Sequence, residues 1–361
     1  MHDADWKGIT ARVLKVASGK GPDPLVTPLV QDASTRSYFR ATLESGRTVV
    51  VMKMAPDPLK SDELVVGARP DKVPFLDVGR YLAGGGIPVP EVLHVNLDAG
   101  VIVLEDLGDV TIERALADGA DKMSLYLDAV DLMAAMEHWA SESPDPDCIA
   151  FKRGFGPKLL RWELEHFHEW CLIELTGRTP TSGEKEALNA FYDQVVRMIA
   201  DLPTGFVHRD FQSRNLMVHE GRLRLIDFQD ALEVPYLYDL VALLRDSYVA
   251  FDATEVDEIQ RAFIEARKQR GMWTPSESDL KKGFQVQALQ RKLKDAGRFV
   301  YIDRVRKNPR FLCNIPRSLS YAPARQSTTF LNSAKRAGYW PDSCPNTSIE
   351  RMKRGTWRCG P

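Results

Sequence analysis

The sequence predicts an α+β fold of two lobes, with an antiparallel sheet in the N-terminal lobe and mainly helices in the C-terminal lobe. Strand-like segments with alternating apolar residues concentrate before residue 107, and long amphipathic segments follow it. A polar loop and a short β-hairpin interrupt the helical part at residues 208–227. We therefore expect one lobe at residues 1–107, a second at 108–332, and a tail of unknown role at 333–361.

The N-terminal lobe is expected to begin with a helix at residues 6–17, before a loop rich in glycine and proline. A second helix, at 74–82, ends at three consecutive glycines, which favour helix termination. Strands are expected at residues 38–43, 48–53, 88–93 and 100–104.

The C-terminal lobe should contain helices at residues 121–142, 158–175 and 184–200, and another that begins at Tyr238. The helix at 158–175 carries Trp162, Phe167 and Trp170. These aromatic side chains are interpreted either as core residues or as contacts to a bound sugar. Asp239 is suited to hydrogen-bonding either backbone groups or the polar loop before the hairpin.

Composition and charge set limits on location and partners. The chain has 361 residues, 44% of them hydrophobic, and a formal net charge of −2, which argues against a dedicated nucleic-acid binder. It opens without an apolar run and contains no stretch of roughly 20 apolar residues that could cross a membrane. Its five cysteines are widely scattered. We expect a cytoplasmic protein without nucleic-acid or membrane partners; the oligomeric state stays open.

The polar loop and hairpin contain three residues whose spacing is typical of kinases. Asp210 precedes Asn215 by five residues, and Asp227 follows the second strand of the hairpin. Asp210 is suited to accept the proton of an attacking hydroxyl. Asn215 and Asp227 offer the oxygen ligands that Mg²⁺ prefers. The pattern predicts a phosphotransferase that uses ATP and Mg²⁺; a salt-bridged loop and a surface turn are the alternative interpretation.

The N-terminal lobe offers candidates for nucleotide binding. The small-residue loop before the first hairpin could place backbone amides over phosphates, and a lysine at the end of the next strand could contact them. An ordinary polar loop and an exposed strand-end lysine are the alternatives. Glu63 is the candidate ion-pair partner of Lys53. The segment at residues 105–108, after the last strand of the sheet, is a candidate hinge whose backbone groups could bind adenine. The predicted residues are Ser34, Thr35, Arg36, Lys53, Glu63, Glu105 and Leu107.

The motif His208-x-Asp210-x-x-x-x-Asn215, with Ile226-Asp227-x-x-Asp230, resembles the aminoglycoside phosphotransferase and choline kinase superfamily. That resemblance implies a protein-kinase-like fold. Further phrases, at residues 32–40, 104–109, 208–217, 227–231 and 238–248, resemble bacterial sugar kinases of cell-wall recycling.

The resemblance implies ATP-dependent phosphorylation of the anomeric hydroxyl of N-acetylmuramate and N-acetylglucosamine. It implies that Asp210 is the catalytic base, that Asn215 and Asp227 bind the metal, and that Asp230 supports them. Arg214 is expected to help neutralise phosphate charge, since the catalytic-loop lysine of protein kinases is absent here.

Two alternatives stay open. The same fold could act on an aminoglycoside, another sugar or a choline-like amino alcohol. A polycationic aminoglycoside would need a strongly acidic pocket, and the nearly balanced charge of the chain weighs against it. The other alternative is a pseudokinase that binds ATP without turnover, against which the presence of all three kinase residues argues.

Overall fold

A computed structural model describes residues 3–20, 26–29, 36–55, 71–153, 156–175, 177 and 179–320. The strands in this part of the chain are β1 (Val26–Pro28), β2 (Ser37–Thr42), β3 (Thr48–Lys53), β4 (Val92–Asn96), β5 (Val101–Glu105), β6 (Thr204–Val207), β7 (Leu216–His219), β8 (Arg222–Leu225) and β9 (Leu232–Pro235).

The helices of the described residues are α1 (Asp3–Ala17), α2 (Pro74–Gly84), α3 (Ile112–Ala117), α4 (Lys122–Glu142), α5 (Ile149–Lys152), α6 (Pro157–Phe167), α7 (Ser182–Ala200), α8 (Tyr238–Leu244), α9 (Ala253–Gln269), α10 (Glu277–Arg306) and α11 (Ile315–Ser320). A π-helical segment, His168–Glu174, continues α6, and short 3₁₀ helices cover Phe228–Asp230 and Pro309–Asn314. None of these helices is long and apolar enough to cross a membrane.

The described residues form two compact units. The first takes the residues up to Ala120 together with Arg214–Asp230, and the second takes Asp121–Ser213 and the residues from Ala231 onward. The first unit thus includes residues 108–120 and the hairpin, which the sequence-based division assigns to the C-terminal lobe. The predicted lobe boundaries at 107 and 332 stay predictions.

The first unit is built on a five-stranded sheet in the order β1-β2-β3-β5-β4, with every neighbouring pair antiparallel. Helix α1 packs Trp6, Ile9 and Val13 into a cluster with buried strand residues that include Val49 and Val51. Removing these apolar surfaces from water stabilises the layer of helix on sheet. The predicted antiparallel sheet and mainly helical remainder are confirmed.

One predicted strand is wrong in position. Residues 88–93 were expected to be extended, but the edge strand is β4, at Val92–Asn96, with an irregular register between Val92 and His94. Pro88 and Pro90 have no N–H group and cannot donate to a strand ladder. The carbonyl of Pro88 instead accepts the backbone N–H of Leu225, at 2.8 Å, which joins this segment to the hairpin.

The predicted hairpin is confirmed. β7 and β8 pair antiparallel with Leu216 opposite Leu225 and His219 opposite Arg222. The two residues of the turn, Glu220 and Gly221, have φ of 50° and 72°, the positive values that a two-residue type I′ turn requires.

The second unit consists of helices packed around α10, with a two-stranded sheet of β6 and β9. The sequence analysis did not identify α9, α10 or this sheet. α10 buries several long polar residues together with its apolar ones, so its polar and apolar residues do not separate into the two faces of an ordinary amphipathic helix. The predicted helix at 158–175 is confirmed as far as Phe167, and its second half is π-helical.

Helices α6 and α10 approach closely at Gly297. A Cβ atom at this position would lie 2.8 Å from the Cα of Phe167 and 2.9 Å from the carbonyl oxygen of His166. Backbone atoms cannot move aside as a flexible side chain can, so the contact requires glycine.

The substitution Gly297→Ala should lower the free energy of unfolding by about 1–3 kcal/mol, because the added methyl group must push the two helices apart. Urea unfolding followed by circular dichroism measures this. Gly183→Ala is the matched control: Gly183 lies in α7, and among the described residues no atom apart from its chain neighbours and its own helix backbone lies within 4 Å of the place that its methyl group would take. That variant should be as stable as wild type or slightly more stable. Equal stability of both variants would contradict the close approach.

Candidate active site

The segment His208–Asp210 follows β6 directly and is fixed by one carboxylate. The backbone N–H groups of His208 and Arg209 donate to the two oxygens of Asp239, at 2.6 and 2.9 Å. Asp239 lies in the first turn of α8 and is buried. The expectation that Asp239 accepts hydrogen bonds from this loop is confirmed. Because both donors are buried, losing their acceptor would leave two unsatisfied groups.

Arg209 is strained and enclosed. Its φ of 80° lies in the left-handed region, which a non-glycine residue adopts only where its surroundings enforce it. Its side chain is 1% exposed and contacts the carboxylate of Glu163 on α6, at 3.4 Å. Glu163 also accepts the side-chain amide of Gln290 on α10, at 2.6 Å. The loop is therefore held by partners on α6, α8 and α10.

Arg291 contacts the predicted base itself. Its Nη2 donates to Oδ1 of Asp210 at 2.9 Å, and its Nη1 donates to the carbonyl of Arg209 at 2.7 Å. The guanidinium also lies 4.9 Å from the ring centre of Tyr238. The side chain of Asp210 is 25% exposed, and that of Arg291 is 3% exposed. One oxygen of the Asp210 carboxylate is thus held by Arg291, and the side chain remains partly exposed to solvent.

The end of the loop is fixed in a similar way. Asp246, just beyond α8, accepts the backbone N–H of Ser213 at 3.0 Å and also its hydroxyl. The same carboxylate accepts the N–H of Tyr248, at 3.1 Å. Asp239 and Asp246 therefore hold the two ends of residues 208–213.

Burial changes the acidity of the carboxyls in this network. It raises the pKa of Asp239 to about 7, although two backbone N–H groups and Arg291 favour the ionised form. It likewise raises the pKa of Asp246, against the hydrogen bonds from Ser213. Burial opposes the charge of Arg291, but Tyr238, Asp295 and Asp210 outweigh it and raise the arginine pKa.

The predicted metal ligands lie at the open end of the hairpin in the first unit. The backbone N–H of Ile226 donates to the carbonyl of Asn215, at 3.0 Å, which extends the β7–β8 ladder by one residue. Asp227 follows with a φ of 65°, a left-handed conformation at the end of the strand. The side chain of Asp227 is 44% exposed, and its Oδ1 lies 3.0 Å from Nε2 of Gln229 and 3.5 Å from Arg36.

These two residues fit a magnesium site in their chemistry. Asn215 supplies an amide oxygen and Asp227 a carboxylate, both hard oxygen donors. Within the described ranges, no three His, Cys, Asp or Glu side chains cluster as a metal site. A pair of protein ligands suits Mg²⁺ nonetheless, because this ion usually keeps several waters and takes other ligands from substrate phosphates.

Arg214 forms an ion pair in the structure. Its Nε and Nη2 donate to the two carboxylate oxygens of Glu113, on α3, at 2.6 and 3.1 Å. This two-point geometry is the strong form of an arginine–carboxylate pair. The contact links the start of the hairpin to α3, and the expected contribution of Arg214 to phosphate binding stays a prediction.

The predicted nucleotide contacts are placed as follows. Lys53 is the last residue of β3, opposite Val101 of β5. Glu105 ends β5 and forms an ion pair with Arg224 of β8, and the carbonyl of Leu107 lies 3.1 Å from Nδ1 of His219. Both residues therefore help to dock the hairpin in the first unit. Ser34, Thr35 and Glu63 lie outside the described residues.

Sequence reasoning missed Arg291 and Glu163, which bind the segment 208–210 from α10 and α6. Neither residue belongs to a motif. Glu163 lies 46 residues from Arg209 along the chain, and Arg291 lies 81 residues from Asp210. Charged residues are seldom fully buried without a partner, so the burial of Arg291 and Glu163 points to a role in this loop. Their burial follows from the packing of the helices and is not visible in the sequence.

Asp239→Asn should remove a pH-dependent part of the stability. With a folded pKa of about 7 and an ordinary value of 3.8, Asp239 favours folding when protonated. This contribution is complete below pH 4 and is lost as the pH rises through 7. The unfolding free energy of wild type relative to the variant should therefore fall by up to about 1.4 kcal/mol per pH unit between pH 4 and 7.

Urea unfolding at several pH values measures this difference. Asp128→Asn, on the exposed face of α4, controls for the loss of one carboxylate. A difference between wild type and Asp239→Asn that stays constant with pH would show that Asp239 remains ionised in the folded protein.

Comparison with known proteins identifies the family of the chain. Residues 25–273 match the model of a family described as "Phosphotransferase enzyme family". An N-acetylmuramate/N-acetylglucosamine kinase of Pseudomonas aeruginosa (strain PAO1) is 32% identical over 325 residues, which cover 88% of each chain. A protein of the same name from Neisseria meningitidis serogroup B is 30% identical over 294 residues, covering 80% of this chain and 82% of its own.

A solved structure shows the same fold. The amicoumacin kinase hAmiN, determined with AMP-PNP, Ca²⁺ and amicoumacin, matches with a TM-score of 0.56 and 17% identity, covering 96% of this chain and 97% of its own. The protein-kinase-like fold is therefore confirmed. On the extent of the family match and the identity to these relatives, the chain belongs to the phosphotransferase enzyme family.

Proposed function

We propose that the protein transfers the γ-phosphate of ATP to the anomeric hydroxyl of N-acetylmuramate and N-acetylglucosamine, in the recycling of cell-wall amino sugars in the cytoplasm. Membership of the family makes it a phosphotransferase, and the names of its relatives point to a sugar hydroxyl as acceptor. The structural observation that carries the proposal is the anchored, partly exposed carboxylate of Asp210.

Asp210 is the catalytic base in this proposal. It would accept a hydrogen bond from the anomeric hydroxyl, orient the oxygen towards the γ-phosphorus and take the proton as the new P–O bond forms. Phosphoryl transfer has a loose transition state, so the contribution of the base is mainly one of position. Its contacts in the second unit are suited to that task.

Arg291 is a positioning residue for this base. Its two hydrogen bonds fix the Arg209 carbonyl and one oxygen of Asp210. Glu163 compensates the second buried arginine, Arg209, so that the loop does not carry uncompensated positive charge.

Asn215 and Asp227 would hold Mg²⁺, which neutralises charge on the phosphates when it is bound. The exposed carboxylate of Asp227 and the hard oxygen donors of both residues support this assignment. We assign phosphate and adenine contacts to the N-terminal lobe, through Ser34, Thr35, Arg36, Lys53, Glu63, Glu105 and Leu107, with Arg214 beside the phosphates.

The acceptor is tested by Mg²⁺-dependent release of ADP from ATP. N-acetylmuramate, N-acetylglucosamine, kanamycin and choline are offered separately, and ³¹P NMR locates the phosphate in each product. Turnover of both amino sugars, with phosphate on the anomeric oxygen, is expected. Turnover of kanamycin or choline alone would assign another acceptor to the same fold. ATP binding without turnover of any of the four would leave an untested acceptor or a pseudokinase.

Asp210→Asn should lower kcat by about 10²- to 10⁴-fold, because the amide cannot take the proton of the attacking hydroxyl. The affinity for Mg²⁺-ATP should change little, since the carboxylate acts on the acceptor. The asparagine keeps an oxygen for Arg291, which makes it a better test than alanine. Steady-state kinetics and nucleotide titration measure the two quantities.

Asp128→Asn serves as the control for this variant as well, because Asp128 lies on an exposed helix face of the same unit. It should keep wild-type kcat. Near-normal turnover of Asp210→Asn would show that another group is the base.

A further inference from the structure

One arginine of the sheet holds the segment that follows β5. Arg40, on β2, donates from Nε and Nη2 to the two carboxylate oxygens of Asp106, at 2.7 and 3.0 Å. Its Nη1 and Nη2 also donate to the two oxygens of Asp109, both at 2.9 Å. We call these three residues the arginine clamp. The clamp spans residues 106–109, which include Leu107, a predicted contact to adenine.

The bond to Asp106 is the stronger half of the arginine clamp. The side chains of Arg40 and Asp106 are 21% and 6% exposed, whereas that of Asp109 is 63% exposed. A two-point pair between arginine and a buried carboxylate is strong, while an exposed pair contributes little. Burial opposes the charge of Asp106, but hydrogen bonds from Arg40, Thr48 and Gly108 outweigh it and lower the pKa of its carboxyl.

Asp106 also determines where the backbone turns. Its Oδ1, which accepts one N–H of Arg40, accepts the backbone N–H of Gly108 as well, at 3.0 Å. An aspartate that binds the backbone two residues further on closes an Asx turn. Gly108 has a φ of 77°, which glycine adopts without strain. The guanidinium, the carboxylate and the turn are therefore connected, and a shift of the carboxylate would move the backbone of Leu107.

The hairpin of β7 and β8 holds the same segment through other groups. The carbonyl of Leu107 lies 3.1 Å from Nδ1 of His219. The carbonyl of Val110 accepts the backbone N–H of Val218, at 2.7 Å. These contacts use backbone carbonyls, whereas the arginine clamp acts through side chains that come from β2. The segment is thus fixed from two elements of the first unit.

One backbone donor of the segment is left over in the described part of the chain. The N–H of Leu107 makes no hydrogen bond to any described residue, although Leu107 is 6% exposed. The backbone N–H of a buried residue usually has an acceptor. Adenine is suited to this role, because the unprotonated nitrogens of its ring accept hydrogen bonds.

We propose that Arg40 is a positioning residue of the nucleotide site. Through Asp106 and Asp109 it fixes the backbone of residues 106–109, so that the N–H of Leu107 is held in place for adenine. This inference rests on the proposed function, in which the segment binds the base of ATP. The arginine clamp acts on the base and makes no contact with phosphate or acceptor. It should therefore determine the affinity for ATP and leave the rate of transfer unchanged.

The test is Arg40→Gln, studied by calorimetric titration and steady-state kinetics. Kd and KM for Mg²⁺-ATP should rise about 5- to 30-fold, the usual effect of losing a charged hydrogen bond and the order that it imposes. The kcat at saturating ATP and KM for the sugar should stay within about twofold of wild type. Binding of Mg²⁺-tripolyphosphate, which has the phosphates but no base, should be unchanged. Arg40→Lys keeps the charge without the planar fork and should be intermediate.

Asp106→Asn tests the same bond from the other partner. The asparagine keeps an oxygen for the N–H of Gly108 but loses the charge that pairs with Arg40. It should weaken ATP binding as Arg40→Gln does, and the double variant should show less than the sum of the two effects. Asp109→Asn should have a smaller effect, because Asp109 is exposed.

Arg47→Gln is the matched control. Arg47 lies in the turn between β2 and β3 of the same unit, and it is exposed. This variant removes one arginine from the hairpin that carries Arg40 and should bind Mg²⁺-ATP as wild type does. Circular dichroism of all the variants shows whether each is folded.

The titrations keep this inference separate from the proposed function, because they need no turnover. Weaker binding of ATP with unchanged binding of tripolyphosphate supports the inference even if the acceptor is not an amino sugar. Equal weakening of both ligands in Arg40→Gln would indicate a general structural role and overturn the inference. Unchanged affinity for ATP would also overturn it and leave the proposed function standing. Wild type that binds no ATP would overturn both.

Discussion

Arg291 donates one N–H to the backbone carbonyl of Arg209 and another to the carboxylate of Asp210, and the position of the candidate base depends on this pair of bonds. A guanidinium is planar and rigid, so two bonds fix both the position of the loop and the direction of the carboxylate. The arginine in turn needs α10 to be placed correctly. Breaking a buried pair by removing one partner usually costs about 3–5 kcal/mol, because a buried charge is left alone.

The second unit contains other ion pairs with buried members, among them Arg209 with Glu163 and Lys292 with Asp295. Burying ions costs solvation energy that apolar residues of the same volume would not lose. We therefore interpret these buried ion pairs as fixing the geometry of the loop and its helices rather than as a source of stability. The raised pKa of Asp239 illustrates the cost: the carboxylate that best holds the loop is also destabilised by its own burial.

In the first unit the register of the β7–β8 hairpin positions the predicted metal ligands, whereas in the second unit buried ion pairs position the loop. The ladder of β7 and β8 places Asn215 opposite Ile226, so that Asp227 follows one residue later at the same end of the hairpin. Ion pairs of Arg224 with Glu105 and of Arg214 with Glu113 dock this hairpin within the unit. A one-residue slip in register would move every side chain of the hairpin to the other face, so the turn at Gly221 matters for the metal ligands.

The sequence by itself determined the features that depend on local spacing. The hairpin, its turn, most strands of the sheet and the motif of Asp210, Asn215 and Asp227 follow from periodicity and from chemistry that few residue types can perform. Only the tertiary structure decided the partners of the loop. Arg291 lies on a helix that buries polar residues among apolar ones, and Glu163 lies on one whose aromatic residues had two interpretations. Such long-range contacts leave no periodic pattern, because they depend on how helices pack and not on neighbours along the chain.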